Sequence, residues 1–258
     1  MNRAFGVFLF SFILLFTAAA QEKPGNWYFG IKGGVPFGVS TFSSFSGGNI
    51  RGAWDVGFSA GYHLSEVWSV EASAAFGQLR MGSQDCCADY FLGSDGRLYL
   101  APVANMDTYP YPSLYSKVKT QLYSIQANFD LLRQLDMRHA GRNSRWSLQL
   151  SPVLSGLVSR ATLYYKEGCD LIVQRPSQFN LGMGGELTAG YRICPQLTIG
   201  LYSKATYFPG TRIDGAPERL HENNCIWDSG LKLTWSFGKK KESISGKANL
   251  ANMKGGRL

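Results

Sequence analysis

The sequence predicts an all-β chain: an eight-stranded antiparallel transmembrane β-barrel with long extracellular loops and short periplasmic turns. Three observations carry that prediction. The chain opens with an export leader, its body alternates apolar and polar residues in steps of two, and its tryptophans fall near the ends of the alternating stretches.

The leader comes first. Arg3 supplies a positive start, Phe5 to Phe16 form an apolar run broken only by Gly6 and Ser11, and Ala18-Ala19-Ala20 precede Gln21. A short greasy centre closed by small residues is the pattern of a cleaved secretory signal peptide. Residues 1–20 are therefore read as leader, 21–238 as barrel and 239–258 as a basic periplasmic tail without a sustained apolar period. No second long apolar run follows, so a helical membrane span is not predicted.

Charged residues make up 17% of the chain and aromatics 14%, a mixture that suits strands meeting different surroundings on their two faces. The formal charge of +8 belongs mainly to the ends. Without Arg3 it is +7, and the tail (Lys239, Lys240, Lys241, Lys247, Lys254 and Arg257 against Glu242) contributes +5 of that. The barrel segment keeps +2, which argues against nucleic acid as a partner.

The eight stretches follow in order. Trp27–Phe37 is the first. The second sets Trp54, Val56, Phe58, Ala60 and Tyr62 against Asp55, Gly57, Ser59, Gly61 and His63. The third sets Trp68, Val70, Ala72, Ala74 and Phe76 against Ser69, Glu71, Ser73, Ala75 and Gly77. Tyr123–Leu131 and Trp146–Ser155 continue the pattern, as do Leu181–Arg192, Leu197–Tyr207 and Trp227–Phe237. A period of two is the signature of strands, and a helix would need apolar residues at three-to-four spacing. The long connections are then roughly 38–53, 78–117, 157–179 and 208–224. The turns between are short at His63–Glu66 and Ile193–Gln196, while Arg133–Ser144 reads as a longer solvated loop. Pro152 inside the fifth stretch predicts a bulge.

Which face meets lipid is decided by two features. The polar face is rich in Gly and Ser and carries a lumen charge network of Lys32, Glu71, Asp130, Glu186, Arg192, Lys204 and Lys232. Small residues and opposite charges suit the narrow, filled interior of an eight-stranded barrel. Counted from the strand ends, Glu71 and Lys232 fall at one depth, and so do Lys32 and Glu186; pairing is expected because an unpaired buried charge is costly. The six tryptophans, Trp27, Trp54, Trp68, Trp146, Trp227 and Trp235, suit aromatic girdles at the two membrane interfaces. Trp227 and Trp235 stand eight residues apart on one face. At ~3.4 Å per residue and about 40° of tilt they are separated by roughly 21 Å along the membrane normal, close to the apolar band of such barrels.

Cys86, Cys87, Cys169 and Cys225 map to the outer side, and Cys194 to an inner turn too far away to bond them. Adjacent Cys86 and Cys87 are expected to reach different partners, Cys169 and Cys225, in one of two ways. The second outer connection holds its own hairpin signal: Tyr90-Phe91-Leu92 and Arg97-Leu98-Tyr99-Leu100 flank Gly93-Ser94-Asp95-Gly96. With Tyr109-Pro110-Tyr111-Pro112 it reads equally as a recognition surface for an extracellular ligand or as a packed lid. No base, nucleophile and orienting group stand together. His63 lies in an inner turn with Ser65, His139 in the basic turn, and His221 near Asp214, Glu218 and Glu222 in a loop of solvated composition. Neither catalysis, nor a metal, nor a cofactor is predicted.

Trp27-Tyr28-Phe29-Gly30-Ile31-Lys32-Gly33-Gly34, the strand pattern, and the closing Leu231-Lys232-Leu233-Thr234-Trp235-Ser236-Phe237 resemble the small outer-membrane β-barrel proteins of Bacteroidetes (the PorT-like group) and the barrel half of OmpA-type proteins. The resemblance covers about residues 25–238. It implies residence in the outer membrane, contact with outer-membrane lipid, handling by the assembly machinery with Phe237 as the signal it reads, and a structural or surface-recognition role. An OmpA-type protein would continue into a peptidoglycan-binding domain after the barrel, and with a twenty-residue tail there instead, peptidoglycan anchoring is not expected. A narrow passive channel and a secreted soluble ligand-binding barrel are the alternatives.

Overall fold

The computed structural model describes residues 27–46, 50–65, 67–83, 89–138, 145–166, 171–209, 213–215 and 224–237. The leader, the tail, Cys86, Cys87, Cys169, His139 and His221 lie outside them.

Alternation becomes strand throughout the barrel segment. β1 (Trp27–Val39) ends in a two-residue strand, β2 (Phe42–Ser43), and is followed by β3 (Trp54–His63) and β4 (Trp68–Ser83). A small outer sheet comes next: β5 (Phe91–Gly93), β6 (Leu98–Tyr99) and β7 (Thr108–Pro110). The barrel resumes with β8 (Leu114–Asp130), a helix α1 (Leu131–Arg138), β9 (Trp146–Tyr165), the short β10 (Leu171–Gln174), β11 (Gln178–Arg192), β12 (Leu197–Phe208) and β13 (Asn224–Phe237). Eight of these strands pair antiparallel in chain order, β1–β3–β4–β8–β9–β11–β12–β13, and β13 pairs back onto β1 from Trp27↔Phe237 to Val39↔Cys225. The ring is closed, so its eight strands leave no edge exposed.

Period-two geometry sends successive side chains to opposite faces. Phe29, Ile31, Val56, Phe58, Leu150, Leu154, Leu187, Leu201, Leu231 and Leu233 are exposed outside, while Lys32, Glu71, Glu186, Lys204 and Lys232 are buried inside. A water-soluble barrel would show the reverse.

Four expectations need correction. First, the strands on one side are longer than the alternation suggested: β4 has 16 residues, β8 17 and β9 20, against 10 in β3. The second connection shrinks to 84–113 as a result. Second, the turn after β8 is helical where it is described. The Asp130 carboxylate caps it by accepting the Arg133 N–H at 3.1 Å, as an N-terminal capping residue does. Third, Pro152 makes no bulge. The β8–β9 register is the same on both sides of it, Gln126↔Val153 and Phe129↔Leu150, and Pro152 sits opposite Gly185 on the other flank. Fourth, Asp214 is not solvated: it is 1% exposed, and its carboxylate accepts the Phe42 N–H at 2.8 Å.

The last correction belongs to a larger one. At the end away from Trp27 and Phe237 the loops fold over the mouth. Leu92 of β5, Tyr111 and Ile213 join Phe42, Leu79, Met81, Leu114, Val118, Leu157, Leu163 and Phe208 in an apolar core. Of the two readings of the second connection, packing as a lid describes the Leu92 and Tyr111 side chains. The hairpin turn forms where its glycines put it, with Gly96 at φ +77°, a conformation glycine adopts without steric cost.

Candidate functional site in the barrel lumen

The lumen has two storeys. The lower one, toward the chain ends, is a hydrogen-bonded ionic layer. Strand register brings Tyr28 of β1, Gly61 of β3, Glu71 of β4 and Gln126 of β8 to one level. Gly61 has to be glycine, since a Cβ there would run into the Tyr28 ring. The Lys232 ammonium donates to both Glu71 oxygens at 2.6 and 2.8 Å, and the Tyr28 hydroxyl donates to the same carboxylate at 3.0 Å. Lys232 also stands 3.8 Å from Glu186. Gln126 and Thr188 each donate to Glu186 at 3.1 Å. Asn128 joins the two halves, donating to Tyr28 at 3.0 Å and accepting from Ser151 at 2.7 Å and from Gln126 at 2.9 Å.

Above this layer Lys204 lies opposite Glu186 on one neighbouring strand and opposite Asp228 on the other. Lys32 points its ammonium at the Tyr202 ring, 5.6 Å from the centroid. Lys32 and Glu186, expected to pair, are not within ion-pair distance of each other; Glu186 is met by Lys232 instead. Asp130 sits at the lower rim as the helix cap, and half-buried Arg192 closes β11 there.

Two charged residues of the lumen were not singled out from sequence. Asp55 and Asp228 are both buried, and one oxygen of each, Oδ1, has no hydrogen-bond partner. A Cβ placed on Gly34 would lie 2.5 Å from the Asp228 oxygen and 3.0 Å from that of Asp55, so the two carboxylates converge on one point. Tyr202 donates to the other Asp228 oxygen at 3.0 Å. A cavity of about 20 Å³ touches both acids and is roofed by Ala75, Leu79, Leu122 and Ile226. The signal was present in the alternation, where both acids stand on polar faces next to tryptophan.

The upper storey is apolar and packed shut. Leu79, Leu157 and Phe208 are fully buried across the bore, and Phe42 packs at a tilt against Tyr111 with ring centroids 5.4 Å apart.

The exterior carries two aromatic rims. Trp27–Tyr62, Trp68–Phe129 and Trp146–Tyr191 are in ring contact at 4.8 to 5.2 Å near the lower end, one step below Trp235. Trp54, Trp227 with Phe37, and Phe76 with Tyr123 mark the upper rim. Trp227 donates its indole N–H to Ser203 at 2.7 Å. Amphipathic rings sit well where hydrocarbon gives way to headgroups.

Cys225 is a free thiol beside the upper rim, and Cys194 is free and exposed in an inner turn. His63 packs on the Tyr28 ring at 4.7 Å. Among the described residues no three His, Cys, Asp or Glu stand close enough to hold a metal ion.

A closed antiparallel ring with an apolar outer band, aromatic rims and a polar, filled bore defines a class: a small transmembrane β-barrel of the outer membrane. The chain is similar to solved structures of that class. Neisserial surface protein A shares 13% identity over 84% of this chain and all of that one, with a TM-score of 0.47. A major outer membrane protein from Thermus thermophilus shares 11% over 82% and 99%, with 0.45. Ail, the attachment invasion locus protein of Yersinia pestis, solved with a heparin analogue, shares 10% over 83% and 100%, with 0.43. No protein-family model matches the chain, and no curated protein sequence does.

Proposed function

We propose that this chain is a closed, non-catalytic barrel of the outer membrane that serves the envelope as a structural or surface-recognition protein rather than as a pore. The observation that carries the reading is the double closure of the bore. An ionic plug around Glu71, Lys232 and Glu186 fills the lower half, and a dehydrated apolar core fills the upper half. A conduction path would have to open both, and they respond to different perturbations.

Membrane lipid surrounds the wall, the lower end with the chain termini faces the periplasm, and the lidded end faces outward. The charged side chains of the lower lumen act on one another and hold the strands in register. The recognition surface is what the lid leaves exposed, above all the hairpin tip around Asp95 and Arg97. There the Arg97 backbone N–H first, and the Tyr99 hydroxyl second, hold the Asp95 carboxyl below its usual range, so it stays ionised beside the Arg97 guanidinium.

Conductance of the purified barrel in planar bilayers tests this. The expected result is silence both for the wild type and for Glu71→Gln. Discrete openings that grow on weakening the Glu71–Lys232 pair would establish a narrow channel instead, and recovery in aqueous extract without detergent would establish a secreted soluble barrel.

A further inference from the structure

We propose that the wall formed by β4, β8 and β9 immediately above the upper aromatic rim is a docking surface for the phosphate-bearing headgroup of an outer-leaflet lipid. The inference rests on the outer-membrane reading and goes beyond it.

These three strands run past the apolar band, and the residues they turn outward there change character together. Above Phe76 on β4 come Gln78 and Arg80; above Tyr123 on β8 come Gln121, Lys119 and Lys117; above Val158 on β9 comes Arg160. The register sets Arg80 directly opposite Lys117 and Lys119 directly opposite Arg160. Four cations thus share one patch, and both cross-strand pairs join like charges, an arrangement that destabilises a sheet on its own. Among the described residues no carboxylate faces outward on this stretch of the three strands. A surface that merely met water would mix both signs.

The fourth cation is held in place. Lys117 lies over the Tyr164 ring at 4.6 Å and the Tyr115 ring at 5.6 Å, and the two rings stack at 5.2 Å. Such a box keeps an ammonium partly desolvated and fixed.

Position identifies the occupant. Lys119 is four residues beyond Tyr123, about 10 Å along the membrane normal. Long basic side chains reach back from there toward the interface, so the four charges fall in the headgroup zone. Their neighbour on the lipid side is an acyl chain against Phe76 and Tyr123, and only a lipid supplies an acyl chain and phosphates at those relative heights. Guanidinium groups pair well with phosphate oxygens, which favours Arg80 and Arg160 as the chief contacts.

The test places the full chain in nanodiscs of phosphatidylcholine, with or without added lipid A, whose headgroup carries phosphate monoesters. Lipid retained per barrel is read by native mass spectrometry. A chain carrying Arg80→Gln, Lys119→Gln and Arg160→Gln together should lose affinity on the order of 100-fold, from roughly fivefold per cation at an anionic surface. Lys119→Gln alone should lose about fivefold. Arg97→Gln, which removes a charge from the hairpin tip and not from these three strands, should lose none, and free inorganic phosphate at matching concentration should not displace the lipid. In pure phosphatidylcholine the triple variant should be at least as stable as the wild type, because it relieves repulsion. Undiminished retention by the triple and single variants would overturn the proposal, as would equal loss in Arg97→Gln or displacement by free phosphate. Failure of the wild type to insert into phosphatidylcholine alone would instead overturn the membrane reading beneath it.

Discussion

The lower and upper parts of this barrel are built on opposite rules. From Trp68 to Phe76, β4 turns apolar side chains out and Ser69, Glu71 and Ser73 in; from Gln78 to Met81 the same strand turns Gln78 and Arg80 out and Leu79 and Met81 in. β8 does likewise, with Ile125 out and Gln126 in below, Lys119 out and Val118 in above. The backbone period is unchanged and only the solvent differs. Hydrocarbon surrounds the lower wall, so polar groups retreat inside and must satisfy one another; polar headgroups and water surround the upper wall, so the hydrophobic effect works inward as in a soluble protein. At ~3.4 Å per residue and about 40° of tilt, the 20 residues of β9 span roughly 50 Å, twice the apolar band, so the strand has room for both rules.

The contrast can be broken most severely from below. Glu71→Ala leaves Lys232 buried without its main partner and should destabilise the barrel by about 3–5 kcal/mol. Urea unfolding in bilayers, followed by tryptophan fluorescence, measures it. A loss under 1 kcal/mol would mean the ionic layer is dispensable.

The upper half should answer to volume rather than charge. Leu157 is fully buried, and Leu157→Ala should cost about 2–5 kcal/mol through the cavity it leaves. The same unfolding curves test this, and conductance should stay absent because the ionic layer remains.

A smaller effect sharpens the boundary between the storeys. Lys32, Lys204 and Lys232 face Asp55, Glu71, Glu186 and Asp228 in the buried lumen, one acid more than base. Asp55 and Asp228 converge and each has an unpartnered oxygen, so the excess resides there. Asp228→Asn relieves it and should change stability by less than ~1 kcal/mol in either direction, far less than Glu71→Ala. An equally large loss would show Asp228 to be fully paired.

The smallest effect lies in the outer hairpin. Because Asp95 is held below its usual carboxylate range, its support of the tip is fully present above the ordinary aspartate value near ~3.9 and fades as pH falls through the lowered one. Amide exchange at Arg97 should therefore be flat from neutral pH down to about 5, after correction for intrinsic rates, and rise only in stronger acid. A rise between pH 7 and 5 would contradict that bond.

Much of the lower half was legible in the sequence because it obeys a single rule. Trp54 to His63 and Trp68 to Gly77 alternate without a break, and depth counting put Glu71 beside Lys232. The upper half reads as loop because its pattern inverts at Gly77. Gln78-Leu79-Arg80-Met81 is still period two, but its apolar parity is opposite, and a reader following the apolar face sees the strand end. Asp214 shows the same blindness: beside Glu218 and His221 it looks solvated, and only the burial of Ile213 and Asp214 against the apolar core makes it an acceptor for Phe42. The α1 helix was hidden by its brevity, since Leu131, Leu132 and Leu135 give barely two turns of period. Asp55 and Asp228 were visible as polar-face residues, yet nothing in one dimension shows that Gly34 leaves them room to meet.

The most direct test asks what the outer wall touches. Reconstituted into bilayers whose acyl chains are brominated near the headgroup, the six tryptophans should be strongly quenched, less so with bromine at mid-chain, and weakly by aqueous iodide. Quenching by iodide with no response to brominated lipid at any depth would place those rings in water and contradict the account.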